Sequence, residues 1–152
     1  METEILERIL GEHPFFRDMS EHHLRILVES ATVVRFESGD LIFREGEPAH
    51  RFYLIRTGTV ALQQSAYRIE PFTVITLSAG DIIGWSWLFP PYRWRLTAKA
   101  IDVTRAISMD GALLRAECEE DHNLGYDLMK RFAQIIDSRF DALSDHLVEV
   151  GR

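Results

Sequence analysis

The chain has 152 residues, 46% of them apolar, with 24 acidic and 17 basic side chains for a net charge of −7. That apolar content belongs to a folded globular protein and excludes disorder, while the negative charge repels nucleic acid unless basic residues cluster. The densest basic spot, Arg93-Trp94-Arg95, is too small for a DNA footprint, and no apolar run approaches the roughly 20 residues that span a bilayer.

The N-terminus, METEILERILGEHPFF, is acidic and has neither the basic start nor the small-residue cleavage site of a signal peptide. With one cysteine, Cys118, an internal disulfide is excluded. The expectation is one cytoplasmic domain with no direct contact to nucleic acid or membrane. Residues 3–11 read as a short amphipathic helix, with Thr3 as N-cap, Ile5, Leu6, Ile9 and Leu10 as its stripe and Gly11 as its stop. HPFFRDM leads to a second helix starting at Ser20, with Leu24, Leu27 and Val28 at helical spacing. Phe15 and Phe16 of the joining segment are expected in the core.

From residue 31 to 109 the pattern changes to short β-branched and aromatic runs punctuated by glycine: ATVVRF, LIFRE, RFYLIR, TVALQQSA, FTVITL, RLTAKAI and VTRAISM. Short strands divided by turn signals predict a barrel or roll, with Gly39, Gly46, Gly58 and Gly80 at turns that need positive φ. Helix returns after Asp110 and again after Asp121, both N-cap residues. In the last segment Leu124, Leu128, Phe132, Ile136, Phe140, Leu143, Leu147 and Val150 recur every three or four residues. A stripe of that length outruns the face of a small roll. Leu128, Phe132, Ile136, Phe140, Leu143 and Leu147 are therefore expected to pair with a second copy, as in a coiled-coil seam. The alternative is that the stripe folds back on its own domain.

The stretch FESGDLIFREGEPAHRFYLIRTGTVAL, residues 36–62, resembles the opening of a cyclic nucleotide-binding domain of the type found in Crp/Fnr regulators and cyclic-nucleotide-dependent kinases. Gly39, Asp40, Ile42, Phe43, Glu45, Gly46, Tyr53, Ile55, Gly58 and Val60 carry the likeness. It implies a mainly β fold with flanking helices (α+β): N-terminal helices over 1–30, an eight-stranded jelly-roll-like β-roll over 31–109, and a short then a long helix over 110–152. The long helix forms the dimer interface in the Crp/Fnr regulators. A DNA-binding helix-turn-helix would follow it there; this sequence ends at Arg152.

The resemblance also gives GWSWLFPPYRWRLTAKA, residues 84–100, a role. It falls where the family has its phosphate-binding cassette, in which a glutamate accepts the ribose hydroxyl and an arginine pairs with the cyclic phosphate. Gly84 matches the cassette glycine and Leu88 a helix leucine, but Trp85 stands at the glutamate. Counting back from Thr97 and Ala100 puts Trp94 at the arginine. Strand alternation turns Arg93 and Arg95 away from the face that Trp94 uses. Leaving a buried charge without its partner costs about 2–5 kcal/mol, or roughly 30-fold to several thousand-fold in affinity. Cyclic nucleotide is disfavoured as ligand, and no other cofactor is expected.

Three readings stay open for the aromatic segment. The side chains of Trp85, Trp87, Tyr92 and Trp94 fill the pocket and leave a ligand-free dimerisation scaffold. Or Gly84, Trp85, Ser86, Trp87, Arg93, Trp94, Arg95 and Thr97 frame a reshaped pocket for a flat or apolar effector with an anionic group. Or a shifted Arg93 or Arg95 restores cyclic-nucleotide binding. Nothing marks an enzyme: Ser86 lacks a nucleophile-elbow context, no histidine pair has metal-ligand spacing, and Cys118 sits among acidic residues that raise its pKa. The function expected is a ligand-responsive regulatory module that acts as a homodimer, takes an unidentified small-molecule effector and signals to a downstream protein.

Overall fold

The computed structural model describes residues 2–65 and 69–150, the last five without their side chains. Helix α1 spans Glu2–Glu12 and α2 spans Glu21–Glu29, with a single 3₁₀ turn, Pro14–Phe16, between them. Helix α1 is longer than the sequence implies. It begins at Glu2 rather than after Thr3, and Gly11 lies inside it. The physical reason is packing: a Cβ on Gly11 would meet Leu24 Cδ2 at 3.4 Å, so the glycine sits at the contact between the two helices. Pro14 supplies the stop instead, because the residue before a proline is driven out of the helical region. Ser20 caps α2 as expected, its Oγ accepting from the His23 backbone N–H at 3.2 Å.

Eight strands follow: β1 Ala31–Phe36, β2 Leu41–Phe43, β3 Arg51–Thr57, β4 Thr59–Gln64, β5 Phe72–Ser78, β6 Ile82–Ile83, β7 Thr97–Ala100 and β8 Thr104–Asp110. They form two antiparallel four-stranded sheets, in the orders β1-β8-β3-β6 and β2-β7-β4-β5. This is the two-sheet roll that the resemblance implies. Gly39, Gly46, Gly58 and Gly80 all have positive φ. Inward residues of both sheets, among them Phe43, Leu54, Val60, Leu62, Ile83, Ala98 and Ile107, form one buried core with Leu10, Phe16 and Leu27 of the N-terminal segment.

Helices α3, Gly111–Glu120, and α4, His122–Val150, close the chain. Asp110 caps α3 by accepting from the Leu113 N–H at 3.0 Å. Asp121 caps α4 by accepting from the N–H groups of Asn123 and Leu124. Its other oxygen meets His23 Nε2 at 2.9 Å, and that hydrogen bond, with the backbone donors, holds the carboxyl below its usual pKa. The start of α4 is thereby tied to α2.

Candidate functional site: the aromatic segment and the long helix

The segment between β6 and β7 is shaped by its own backbone. Gly84, at φ +96°, turns the chain out of β6 into Trp85 and a 3₁₀ turn, Ser86–Leu88. Pro90 and Pro91, joined by a cis peptide bond, carry the chain back. Tyr92 holds the return: its N–H donates to the Phe89 carbonyl at 2.8 Å and its carbonyl accepts from Ala49 N at 2.7 Å. Its ring lies 4.1 Å from the Arg115 guanidinium carbon, a cation–π contact. Trp94 is pinned at both backbone groups, its N–H donating to Glu47 O and its carbonyl accepting from Gly46 N.

The three tryptophans do different jobs. Trp94 is buried inside the roll and stacks on Phe43, with ring centroids 3.7 Å apart and planes at 9°. Phe43 in turn stacks on Tyr53, whose hydroxyl pKa is raised by burial. Gly84 makes room for this: a Cβ there would lie 2.7 Å from Trp94 Cζ3 and Cη2. Trp87 points the other way, between Phe52, stacked at 5.1 Å, and Phe132 of α4, edge-on at 5.6 Å. Trp85 stays partly exposed at the mouth of the roll.

A cavity of about 170 Å³ remains, lined by Phe43, Leu62, Ile83, Gly84, Trp85, Ser86, Trp94, Arg95, Leu96 and Arg139. Gly84, Trp85, Ser86, Trp94 and Arg95 line it together; Arg95 shares this wall with Trp94, against the expectation from strand alternation, because residues 93–95 precede β7 and are not in a strand. Three expected lining residues do not join them. Trp87 belongs to the core between roll and helix. Arg93 is exposed and donates to the Gly46 carbonyl at 2.9 Å. Thr97 Oγ1 accepts from the Glu45 N–H at 3.0 Å.

Sequence reasoning missed Arg139, the cation that α4 brings to this cavity. Its guanidinium carbon is 5.4 Å from the centre of the Trp85 ring, and Nη2 donates to the Ile82 carbonyl. Nη1 is buried and has no hydrogen-bond partner among the described residues. Burial pushes the guanidinium down to about 10, against a smaller opposing pull from Asp81, so it keeps its charge at neutral pH. The signal that could have found it is angular. Seven residues bring a helix almost back to the same face, within about 20°. Arg139 therefore shares the face of Phe132, where the stripe calls for an apolar side chain.

The same geometry corrects the dimer assignment. Residues four apart drift by about 40° per step, so Phe140 lies roughly 160° around the helix from Leu124. Leu128 and Phe132 are fully buried within the chain, Phe132 against Phe15, Phe52 and Trp87. They fold back on the roll and are not available to a second copy. Ile136 and Leu143 are half-buried and Phe140 is 71% exposed. The side chain of Leu147 lies outside the described residues.

Cys118 carries no chemistry here. Burial first, then Glu119, Asp121 and Glu117, push its thiol up to about 11. The expected result is that 5,5′-dithiobis(2-nitrobenzoate) at pH 8 labels it about 100-fold more slowly than free cysteine. Labelling at the free-cysteine rate would contradict that environment. Among the described residues no group of three His, Cys, Asp or Glu side chains is placed to hold a metal ion, and no helix is long and apolar enough to cross a membrane.

The family model of the cyclic nucleotide-binding domain matches residues 33–121. The chain belongs to the cyclic nucleotide-binding domain family. A CRP-like cAMP-activated global transcriptional regulator of Mycobacterium tuberculosis is 25% identical over 140 residues, covering 92% of this chain. That match spans 62% of the regulator's own length. A solved structure from Geobacter metallireducens, of a protein assigned to cyclic-nucleotide binding, is 28% identical with a TM-score of 0.79, covering 92% of this chain and 98% of the other. The sensor domain of the regulator DNR from Pseudomonas aeruginosa shares the fold at 20% identity and a TM-score of 0.74, covering 93% of this chain and 95% of that one. The family is regulatory, and this member has the family's β-roll.

Proposed function

We propose that this cyclic nucleotide-binding domain is a cytoplasmic sensor module whose effector is a small molecule other than a cyclic nucleotide held by the family's usual contacts. One observation carries the reading. Trp94, at the position the resemblance gives to the phosphate arginine, lies flat on Phe43 inside the roll, and the cavity it shares with Trp85 and Arg139 is about 170 Å³, separate from a more polar one of about 420 Å³ that Phe43, Tyr53 and Trp94 border with His50 and Arg51. Ordinary ligand pockets run from about 300 Å³ upward. Trp85 takes the place of the ribose carboxylate and offers no acceptor. An effector that enters the remaining space meets Trp85 and Arg139 first. Because Arg139 stands on α4, occupancy alters how that helix lies on the roll, and α4 passes the change to a second copy and to a downstream protein.

The Phe43–Trp94 stack also favours a second reading, a scaffold whose pocket is filled by its own side chains. Tryptophan emission separates the two, because Trp85 and Trp94 line the cavity. Cyclic AMP and cyclic GMP up to about 1 mM are expected to leave the emission unchanged. Benzene, the size of the space, is expected to change it saturably. A saturable micromolar response to either nucleotide would overturn the assignment of Trp85 and Trp94. No response to benzene would overturn the sensor reading in favour of the scaffold.

A further inference from the structure

Resting on that sensor reading, we infer that the effector is a one-ring carboxylate, bound with its ring between Trp85 and Trp94 and its carboxylate on the guanidinium of Arg139. The size argument comes first. An apolar cavity of about 150 Å³ accommodates benzene, and the one here is about 170 Å³. It fits a single ring with a small substituent. The walls set the chemistry of the ring: Phe43, Leu62, Ile83, Trp85, Trp94 and Leu96 present apolar and aromatic surface.

The cation sets the chemistry of the substituent. A buried guanidinium without a carboxylate is rare because desolvation is expensive. Arg139 has one backbone acceptor, Ile82 O, and a buried Nη1 with no acceptor among the described residues. Among the described residues Asp81 is the side chain whose charge opposes the effect of burial on it, and the opposition is the smaller influence. A ligand carboxylate supplies the missing acceptor and the missing charge in one group, in the fork geometry that guanidinium prefers. Arg95 also borders the cavity but is exposed, so water screens it and it contributes little selectivity.

Three probes that share one ring test this: benzoate, neutral benzamide and cationic benzamidine, each titrated calorimetrically into the full chain. Benzoate is expected to bind at least about 30-fold more tightly than benzamide, the factor expected for a desolvated charge pair, and benzamidine not to bind. Arg139→Met is expected to abolish the benzoate preference and leave benzamide equal or better. Arg139→Lys is expected to keep the order with weaker binding, and Arg95→Met to change benzoate by less than about fivefold. Since Arg139→Met changes the order of affinities rather than all of them, a loss of fold is distinguished from a loss of the anion contact. Benzamide binding as well as benzoate in the unaltered protein would overturn the carboxylate assignment while the benzene response still upholds the sensor. Arg95→Met, rather than Arg139→Met, removing the preference would overturn the role of Arg139.

Discussion

Phe132→Ala is expected to lower the unfolding free energy by about 3–5 kcal/mol. The side chain is fully buried and touches three other rings, Phe15 at 4.9 Å, Phe52 at 5.2 Å and Trp87 at 5.6 Å, each edge-on or nearly so. Edge-to-face pairs add roughly 0.5–1.5 kcal/mol each beyond the area they bury. The cluster joins four parts of the chain: the 3₁₀ turn after α1, strand β3, the aromatic segment and helix α4. No single neighbour can move into the space without leaving the other two. For a chain of this size the loss corresponds to a fall in Tm of about 6–20 °C. Denaturant titration measures it, and Trp87 emission reports the same event from inside the cluster. A loss below about 1 kcal/mol, the range of an unspecialised surface site, would show that the first half of α4 does not depend on the roll.

That cluster explains why the roll was legible in the sequence and the role of the helix was not. Strands of the roll are short β-branched and aromatic runs, and the glycines between them sit where positive φ closes the turn, so Gly39, Gly46, Gly58 and Gly80 mark the strand ends one by one. N-caps are equally local: Ser20, Asp110 and Asp121 each accept from a backbone N–H two or three residues ahead. The long helix is different, because its apolar residues serve two surfaces at once. Leu124, Leu128 and Phe132 bury against the roll, while Tyr126, Met129 and Phe140 are exposed. A list of apolar residues at spacings of three and four merges these faces, and only the angle around the axis separates them.

The candidate site was half legible for a related reason. Its aromatic half lies in one contiguous segment, and the resemblance places Gly84, Trp85 and Trp94 at functional positions. Arg139 lies 45 residues further along the chain than Trp94 and reaches the cavity only because α4 packs across the mouth of the roll. Long-range placement of that kind leaves no local pattern. The division of labour among the tryptophans was hidden for the same reason: Trp85 and Trp87 differ by two positions, yet one faces the cavity and the other the cluster around Phe132.

Phe140→Glu is expected to convert the proposed homodimer into a folded monomer, halving the mass measured by light scattering. The outward face of α4 carries Tyr126, Met129, Ala133, Ile136, Phe140 and Leu143, spaced three and four residues alternately. That is an unbroken a/d repeat, and the sequence continues it at Leu147 and Val150. Tyr126 is 72% exposed, Phe140 71% and Met129 44%, so the three largest side chains of the seam face solvent in the single chain, with Ile136 and Leu143 half-buried between and beyond them. In the proposed homodimer two such seams would bury each other, and a glutamate at position 140 would put two like charges into the joint. Because the position is exposed in one chain, the fold itself should change by no more than about 0.5 kcal/mol. Phe132→Glu does not test the same point, since it destroys the buried cluster. Arg139 precedes Phe140 directly and flanks the seam, so a ligand that draws its guanidinium toward the cavity would also act on the proposed dimer. An unchanged mass for Phe140→Glu, with circular dichroism showing intact helix, would overturn this seam and with it the route by which the cavity reaches a second copy.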